Sequence, residues 1–405
     1  MTPVQVTGLG AMVPHGSDLQ TLFAAIMRGD SAIHPVFPEL ARPAAAATVQ
    51  DFDVARWFTR LQLAGVDRVS QLAVAAADLA LRDGGDGAGA APERMGIYVG
   101  CGMGGAAALD AAYRGGGRVP PLTIPAFMPN AAAGHIAMRL QAQGPVLTYS
   151  VACASSAVAI AEAAKAVQRG EVDVAIAGGS EALIVPGVVV AWQAMQTLAA
   201  FDAQAGARAA ATCCRPFALD RSGFVLGEGA AFMVLESAPR ARARGARVYA
   251  NLAGWGLSND ATHLTKPDAA GQARALTQAL RQAALTPAEV GYCNAHGTAT
   301  PIGDVVESQA LVRVWGDAIA ELRVSSTKAL HGHLLGAAGA LEALITVLAL
   351  HERKLPPNAH CDAPDPACGL NLVHEPDTAA PTLQAAVSSS FAFGGSNAAL
   401  LFTRC

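Results

Sequence analysis

Short apolar runs that end in glycine alternate with longer alanine-rich stretches along the whole chain. Short apolar runs between turn signals are typical of buried strands, and longer alanine-rich stretches are typical of helices. Alternating strands and helices predict an α/β protein whose helices cover hydrophobic sheets. Hydrophobic residues make up 52% of the sequence and charged residues 15%, as expected for strands buried on both faces.

The order of these elements occurs twice. Each half is predicted to contain two strands that end in glycine, a strand–loop–helix unit and two closing strands. The predicted segments are residues 3–10, 95–100, 146–167, 172–177 and 230–235, followed by 248–256, 290–297, 322–350, 385–391 and 398–402. This repeat predicts two similar halves, residues 1–245 and 246–405.

Cys153 lies between the apolar run 146–151 and the helix predicted over residues 157–167. This layout places the thiol on the first turn of a helix, where unpaired backbone N–H groups and the dipole favour a thiolate. A free cysteine is more often a small buried hydrophobe than a nucleophile, so Cys153 by itself decides nothing.

Two later segments carry titratable side chains in small-residue loops. His296 lies in Asn-Ala-His-Gly-Thr-Ala-Thr (294–300), and Lys328, His331 and His333 lie in Lys-Ala-Leu-His-Gly-His (328–333). A lone histidine beside glycine is more often a core residue than a catalyst. One thiol, two imidazoles and a lysine together indicate acyl transfer through a covalent thioester.

These motifs, in this order, resemble those of the β-ketoacyl-ACP synthases, the condensing enzymes of fatty acid and polyketide synthesis, in their bacterial elongating (type II) form. The resemblance runs from Val-Thr-Gly-Leu-Gly (6–10) to Phe-Ala-Phe-Gly-Gly-Ser-Asn (391–397), nearly the whole chain. It implies a thiolase-like fold, a five-layer αβαβα arrangement in which two sheets enclose shared central helices.

The resemblance also implies a reaction in two halves. Cys153 takes an acyl group from acyl carrier protein, and malonyl-ACP then loses carbon dioxide to form the enolate that attacks this group. The developing oxyanion of the first step needs fixed donors. The backbone N–H of Cys153 is one candidate, and the resemblance adds that of Phe393 in the gating loop 391–395, which begins at Phe391.

The same resemblance assigns the second half-reaction. His296 and His333 are expected to donate from Nε2 to the enolate oxygen, because neutral N–H donors stabilise the enolate without protonating the carbanion. Lys328 is expected to support the site electrostatically, with Glu307 as its ion-pair partner.

The substrate arm has its own expected contacts. Thr298 and Thr300 match positions whose hydroxyls bind the pantetheine arm, and Met103 matches the gating side chain of the acyl pocket. Phosphopantetheine arrives on the carrier protein, so the chain is expected to have no cofactor of its own. Its eight cysteines show no metal-ligand spacing, and no metal is expected.

Charge and hydropathy exclude other classes of partner. A net charge of −4 provides no general attraction to nucleic acid or to an anionic membrane. No basic n-region opens the chain, so a signal peptide is not expected and the protein is expected in the cytoplasm. The apolar run 334–350 is interrupted by Glu342 and is predicted to be a core helix rather than a membrane span.

Two motifs have other interpretations. Gly-Cys-Gly-Met-Gly-Gly (100–105) follows a strand like a dinucleotide-binding loop, but its glycine spacing differs and no acidic residue follows at the expected distance. His331 and His333 have the spacing of a metal pair, but no carboxylate or cysteine accompanies them closely.

Two other functions share the fold. A non-catalytic chain-length factor would not need Cys153, His296 and His333 together. A degradative thiolase or acyltransferase would use a second cysteine as base, for which Cys293 is the candidate, although its strand context indicates core.

Several residues depart from the usual fatty-acid enzyme. Ala392 replaces a loop glycine, and residues 61–65 are apolar where those synthases carry the basic residues that dock an acidic carrier protein; only Arg60, Arg68 and Arg118 remain. A specialised type II polyketide or polyene synthase is therefore favoured. Such enzymes often pair with a chain-length-factor homologue, so both a homodimer and a heterodimer are expected possibilities.

Overall fold

The computed structural model describes residues 2–85, 89–116, 119–376 and 379–405, so Arg118 lies outside the described residues. The strands of this part are β1 (Val4–Met12), β2 (Ile33–Val36), β3 (Ala44–Ala47), β4 (Met95–Gly100), β5 (Val146–Tyr149), β6 (Val174–Glu181), β7 (Leu226–Gly227), β8 (Gly229–Ser237), β9 (Ala250–Asn259), β10 (Tyr292–Asn294), β11 (Arg323–Ser325), β12 (Asn371–Leu372), β13 (Ala385–Phe391) and β14 (Ser396–Thr403).

The helices of the described residues are α1 (Leu19–Arg28), α2 (Arg68–Asp83), α3 (Ala106–Arg114), α4 (Thr123–Phe127), α5 (Ala131–Leu140), α6 (Ser155–Gln168), α7 (Pro186–Ala194), α8 (Ala207–Ala211), α9 (Ala238–Ala243), α10 (Ala269–Ala283), α11 (Gly303–Trp315), α12 (Lys328–His331) and α13 (Ala338–Glu352).

The two halves have the same strand topology. The first half has the order β5-β4-β6-β8-β1, and the second has β11-β10-β13-β14-β9 with β12 added at its edge. The first three strands of each order are parallel to one another: β5, β4 and β6 in the first half, and β11, β10 and β13 in the second. The last two strands of each order pair antiparallel with their neighbours. The repeated plan read from the sequence is therefore present as repeated topology.

Five layers result from how the helices cover these sheets. Helices α6 and α13 contact strands of both halves and form the central layer, whereas α2 covers the first sheet and α10 the second. The two sheets are joined where Val4, Gln5 and Val6 of β1 pair with β9. The thiolase-like α/β fold is confirmed, with this join as a detail that the sequence did not predict.

The central layer is made of small side chains that let its helices approach closely. At Gly339 of α13, an added Cβ would lie 2.9 Å from the Cβ of Ala157 in α6. One helical segment of the described chain, Leu335–Glu352, is long and apolar enough to cross a membrane, but 89% of it is buried inside the fold. The core helix predicted here is thus part of the central layer.

The equivalent central helices also bring the active-site loops together. Cys153 follows β5 and precedes α6, and the segment from Lys328 to His333 follows β11 and precedes α13, at the corresponding place in the second half. His296 follows β10, which lies between β11 and β13. Because carboxyl ends of parallel strands meet at one edge of a sheet, His296 and the segment from Lys328 to His333 lie close together. Cys153 comes from the other half, and the packing of α6 against α13 brings it beside them.

Candidate active site

Cys153 lies in a sharp turn between β5 and α6. Ala152 has a left-handed φ of 46°, and Ser155 fixes the turn by accepting from the Val151 N–H at 2.8 Å and donating to the Ala152 carbonyl at 2.6 Å. Helix α6 begins at Ser155, so Cys153 lies just before the helix. The sequence predicted a position on the first turn of that helix, and this prediction is off by two residues.

The Cys153 side chain is a thiol, not a thiolate, at neutral pH. Burial raises its pKa to about 12, against the opposing effects of the Lys328 charge and of the backbone N–H groups of Phe393 and Cys153 itself. Burial therefore opposes the thiolate that the position before a helix would favour. Desolvation of the charged form outweighs the helix terminus, because Cys153 is packed in an apolar cluster that includes Leu335 and Phe224.

His333 is in hydrogen-bond contact with this thiol. Its Nε2 lies 3.1 Å from the Cys153 Sγ, and its Nδ1 accepts the backbone N–H of Leu335 at 3.3 Å. A ring that accepts at Nδ1 carries its proton on Nε2, so His333 presents an N–H donor to the site. Burial and the Lys328 charge hold the pKa of His333 well below its usual value, and the ring is neutral at pH 7.

His296 forms the other side of the site. Its ring is 5.4 Å from that of His333, centroid to centroid, and meets it edge to face. The Glu307 carboxylate positions the backbone of this residue. It accepts hydrogen bonds from the N–H groups of His296 at 2.8 Å and Gly297 at 2.7 Å, and the Ser389 hydroxyl also donates to it. Burial and Lys328 keep the pKa of His296 well below its usual value.

The ion-pair partner of Lys328 is Glu342, and not Glu307 as expected from the sequence. Glu342 lies on α13, its carboxylate contacts the Lys328 Nζ, and neither side chain is exposed. Glu307 is engaged by backbone N–H groups instead. Glu342 was visible in the sequence as the one charge within the apolar run 334–350, and that isolation was the available signal.

A cleft of about 420 Å³ leads to these groups. Cys153, His296 and His333 lie on its wall, as do the gating-loop residues Phe391 and Phe393. The Phe393 ring stacks on Trp192 of α7 at a centroid distance of 6.1 Å. Trp192 was missed in the sequence, where nothing linked it to the loop.

Of the three residues predicted to contact the substrate, two line the cleft and one does not. Thr298 and Thr300 line the cleft, and their hydroxyls are hydrogen bonded to each other at 3.0 Å. Met103 is not among the residues that line it, and Met103 is 46% exposed in the single chain. The gating role of Met103 thus stays a prediction.

Two family models match this chain. "Beta-ketoacyl synthase, N-terminal domain" matches residues 1–241, and "Beta-ketoacyl synthase, C-terminal domain" matches residues 249–362. The chain belongs to the β-ketoacyl synthase family. It is a condensing enzyme of the acyltransferase class, as the sequence predicted.

Relatives of this synthase match along its full length. It is 37% identical to the 3-oxoacyl-[acyl-carrier-protein] synthase 2 of Staphylococcus aureus (strain N315), over 99% of this chain and 98% of that one. The solved ishigamide ketosynthase/chain length factor has a TM-score of 0.89 and 31% identity, covering 100% of this chain and 99% of that one. A type II polyketide ketosynthase bound to a hexaketide and in complex with its acyl-carrier protein (AntDE:AntF) has a TM-score of 0.88 and 27% identity, covering 100% of both.

Three side chains in the cleft of this synthase have the spacing of a three-ligand metal site: the Cys153 sulfur and one ring nitrogen each of His296 and His333 lie within 4.8 Å of one another. The tautomer opposes that use. A metal-binding imidazole donates its other N–H to a neighbour, but His333 accepts a backbone N–H at Nδ1, and so its Nε2 is protonated. The set therefore fits hydrogen-bond donation better than metal ligation.

His331 does not face the catalytic groups. Its Nε2 is 2.9 Å from the Thr327 hydroxyl, and its Nδ1 is 2.7 Å from the Gly332 carbonyl oxygen. Both ring nitrogens of this buried side chain are thus engaged by its own loop, which removes the basis for a metal pair with His333.

Proposed function

We propose that this synthase catalyses the decarboxylative Claisen condensation of an acyl group on Cys153 with malonyl-ACP. The observation that carries the proposal is the contact of a neutral His333 with the Cys153 thiol, 3.1 Å from Nε2 to Sγ, beside a second neutral imidazole. Two neutral N–H donors suit an enolate oxygen, whereas a protonated imidazole would quench the carbanion.

In the first half-reaction the Cys153 sulfur attacks the carbonyl carbon of an acyl thioester. The bond from that carbon to the pantetheine sulfur breaks, and the thiol proton ends on the departing sulfur. The backbone N–H groups of Cys153 and Phe393 both face the Cys153 sulfur, where they oppose the rise in its pKa. Donors at this position are suited to hold the carbonyl oxygen as it becomes negative.

In the second half-reaction malonyl-ACP loses carbon dioxide, and the enolate carbon attacks the acyl-Cys153 carbonyl. The new carbon–carbon bond replaces the bond to sulfur, and the displaced thiolate takes a proton from water. His296 and His333 hold the enolate oxygen. Burial lowers the pKa values of both rings, and Lys328, paired with Glu342, places a positive charge near them that lowers these pKa values further, so both rings are neutral.

The partner that brings both substrates is an acyl carrier protein. Its phosphopantetheine arm enters the cleft past Thr298 and Thr300, so the synthase has no cofactor of its own. The solved complex of a related ketosynthase with its carrier protein supports this partner. We place the enzyme in the cytoplasm, in a specialised polyketide or polyene pathway.

A second ketosynthase-fold chain is proposed as partner at the β5 edge. Strand β5 ends the sheet order with one side unpaired, and such an edge is a template for another strand. Large apolar side chains are exposed on β5 and on the preceding segment of the chain: Met103, Tyr113, Leu122, Ile124, Met128, Met138, Val146 and Leu147. A homodimer and a heterodimer with a chain-length-factor homologue would both cover this face, and the solved ketosynthase/chain length factor supports the second.

Acyl mapping tests the nucleophile. After incubation with acyl-ACP, digestion and mass measurement of peptides should place the acyl group on Cys153. Acylation of any of the other seven cysteines with Cys153 unmodified would overturn the assignment. Acylation of Cys153 together with decarboxylation of malonyl-ACP by the purified chain supports the proposal. A non-catalytic chain-length factor would not be acylated, and a thiolase-like acyltransferase would be acylated without needing the decarboxylation.

A further inference from the structure

Glu181 is a buried carboxyl group with no place in the mechanism above. It ends β6, its side chain is fully buried, and within the described residues it has no cationic partner. Two other buried carboxylates in this part of the chain are paired with a cation, Glu228 with Arg68 and Glu342 with Lys328, whereas Glu181, like Glu307, is held by main-chain N–H groups. An unpaired buried carboxyl group is costly and needs compensating hydrogen bonds.

Main-chain N–H groups from two separate loops supply those bonds. The Glu181 Oε2 accepts the N–H of Gly102 at 2.7 Å and that of Gly336 at 3.0 Å, and Oε1 accepts the N–H of Met103 at 3.3 Å. The Cys101 thiol donates to Oε1 at 3.8 Å. Glu181 therefore joins the loop after β4 to the turn that precedes α13.

Glycine is required where these loops meet the carboxylate. A Cβ added at Gly102 or at Gly336 would lie 2.5 Å from the Glu181 Oε2. Residues with a side chain would push the carboxylate away from the N–H groups that bind it. The close approach thus depends on Glu181, Gly102 and Gly336, which come from three separate segments of the chain.

The turn that Glu181 holds also fixes His333. Leu335 has a left-handed φ of 47°, which is unfavourable for a residue with a branched side chain, and it comes directly before Gly336. Its N–H is the group that donates to the His333 Nδ1. The bond from Gly336 to Glu181 thus holds the backbone in the conformation that keeps the His333 proton on Nε2.

We propose that Glu181 is a positioning residue that sets the tautomer and orientation of His333 through the turn from Leu335 to Gly336. The inference rests on the proposed function of His333 as an enolate donor. Loss of the anchor lets Leu335 relax to a favourable φ and withdraw its N–H from Nδ1. His333 then also populates the tautomer protonated at Nδ1, which presents a lone pair rather than an N–H to the enolate oxygen.

The variant that tests this is Glu181→Gln, with the exposed Glu171→Gln as matched control. The glutamine amide has the same shape as the carboxyl group, but its NH₂ group replaces one of the two acceptor oxygens. A donor then faces main-chain N–H donors, and the hydrogen bonds to that oxygen are lost. Burial raises the pKa of Glu181 to about 7, so the assays are run above that pH, where the wild-type group is charged. We expect kcat for malonyl-ACP decarboxylation to fall by about 10- to 100-fold, the size of loss that follows removal of a group that orients a metal-ligating histidine, with KM unchanged.

Two further readouts separate positioning from a general structural defect. The rate at which Cys153 takes an acyl group should stay within about threefold of wild type, because its turn is fixed by Ser155. Nitrogen-15 NMR of the imidazoles should show His333 protonated on Nε2 in wild type and a mixture of tautomers in Glu181→Gln. The Glu171→Gln control should match wild type in every measurement.

Several outcomes would overturn the proposal. An unchanged kcat in folded Glu181→Gln would do so, as would an equal loss of acylation and decarboxylation. Should Glu181→Gln not fold, Glu181→Asp is measured instead, because the shorter carboxylate cannot reach both loops and the same split is expected. A wild-type His333 protonated on Nδ1 contradicts the inference whatever the variants do, whereas a failure of Cys153 to accept acyl groups contradicts the proposed function instead.

Discussion

Lys328 and Glu342 form an ion pair in which both side chains are completely buried. Burial lowers the pKa values of His296 and His333, and the charge of Lys328 lowers them further. Glu342 allows that cation to stay in the core. Desolvation makes such a pair a poor source of stability.

Replacing Glu342 with leucine should destabilise the fold by about 3–5 kcal/mol, since removing one partner leaves a buried charge uncompensated. The double variant Lys328→Met, Glu342→Leu should recover much of that loss while malonyl-ACP decarboxylation stays impaired. Urea unfolding measures the first effect. Glu352→Gln, at an exposed pair with Lys354, should change stability by less than about 1 kcal/mol; an equal effect at both positions would contradict the importance of burial.

The raised pKa of Cys153 makes a prediction for pH. A thiol with a pKa of about 12 stays protonated across the neutral range, and its thiolate fraction rises about tenfold with each pH unit below that value. Alkylation of Cys153 by iodoacetamide should therefore accelerate steadily from pH 7 to pH 9. A plateau in this range would mean that the helix terminus, and not burial, determines the state of the thiol.

The two histidines should be needed for decarboxylation more than for acylation. Replacing His296 or His333 with alanine should cut condensation by a factor of about 10² or more, the usual cost of one oxyanion-type donor. Cys153 should still accept an acyl group in both variants, as mass measurement of the intact protein would show. The exposed His374 provides a matched alanine control, and full condensation by His333→Ala would refute the role.

The sequence predicted the order of elements well because local patterns determine it. Glycine-ended strands and alanine-rich helices carry their own periodicity, and the resemblance then placed Cys153, His296 and His333 in one site. Local patterns did not identify the ion-pair partner of Lys328. Glu342 lies fourteen residues later, on α13, and only the tertiary fold brings its carboxylate to the Lys328 ammonium group. The protonation of Cys153 was also out of reach, since a helix start is visible in sequence but the depth of burial is not.

An exposed apolar edge should depend on a partner chain. Leu147 lies on β5 with 44% of its surface exposed, and replacing it with lysine would place a charge inside the proposed contact. We expect Leu147→Lys to shift the protein from dimer to monomer in analytical ultracentrifugation. Val312→Lys, at an exposed apolar site on α11, should leave the association state unchanged. A wild-type chain that is monomeric alone but pairs with a chain-length-factor homologue would favour the heterodimer.

The surface around Leu61 predicts discrimination between carrier proteins. Leu61 is 87% exposed, and Arg60 beside it is exposed as well. Arg68 is held by Glu228 through bonds of 2.6 and 2.9 Å and by the Val49 carbonyl at 2.8 Å. Docking of an acidic carrier through basic residues is therefore weakened here, and attraction that remains should depend little on salt.

We expect this synthase to condense faster with a dedicated carrier protein than with a housekeeping fatty-acid carrier, measured at two ionic strengths. Leu61→Lys should improve use of the housekeeping carrier at low salt and lose that gain at high salt, because the added attraction is screened. Leu61→Gln removes the apolar side chain without adding charge and should give no such gain. Equal rates with both carriers and a steep salt dependence in wild type would mean that the missing basic residues are irrelevant, and the proposed specialised pathway would lose its support.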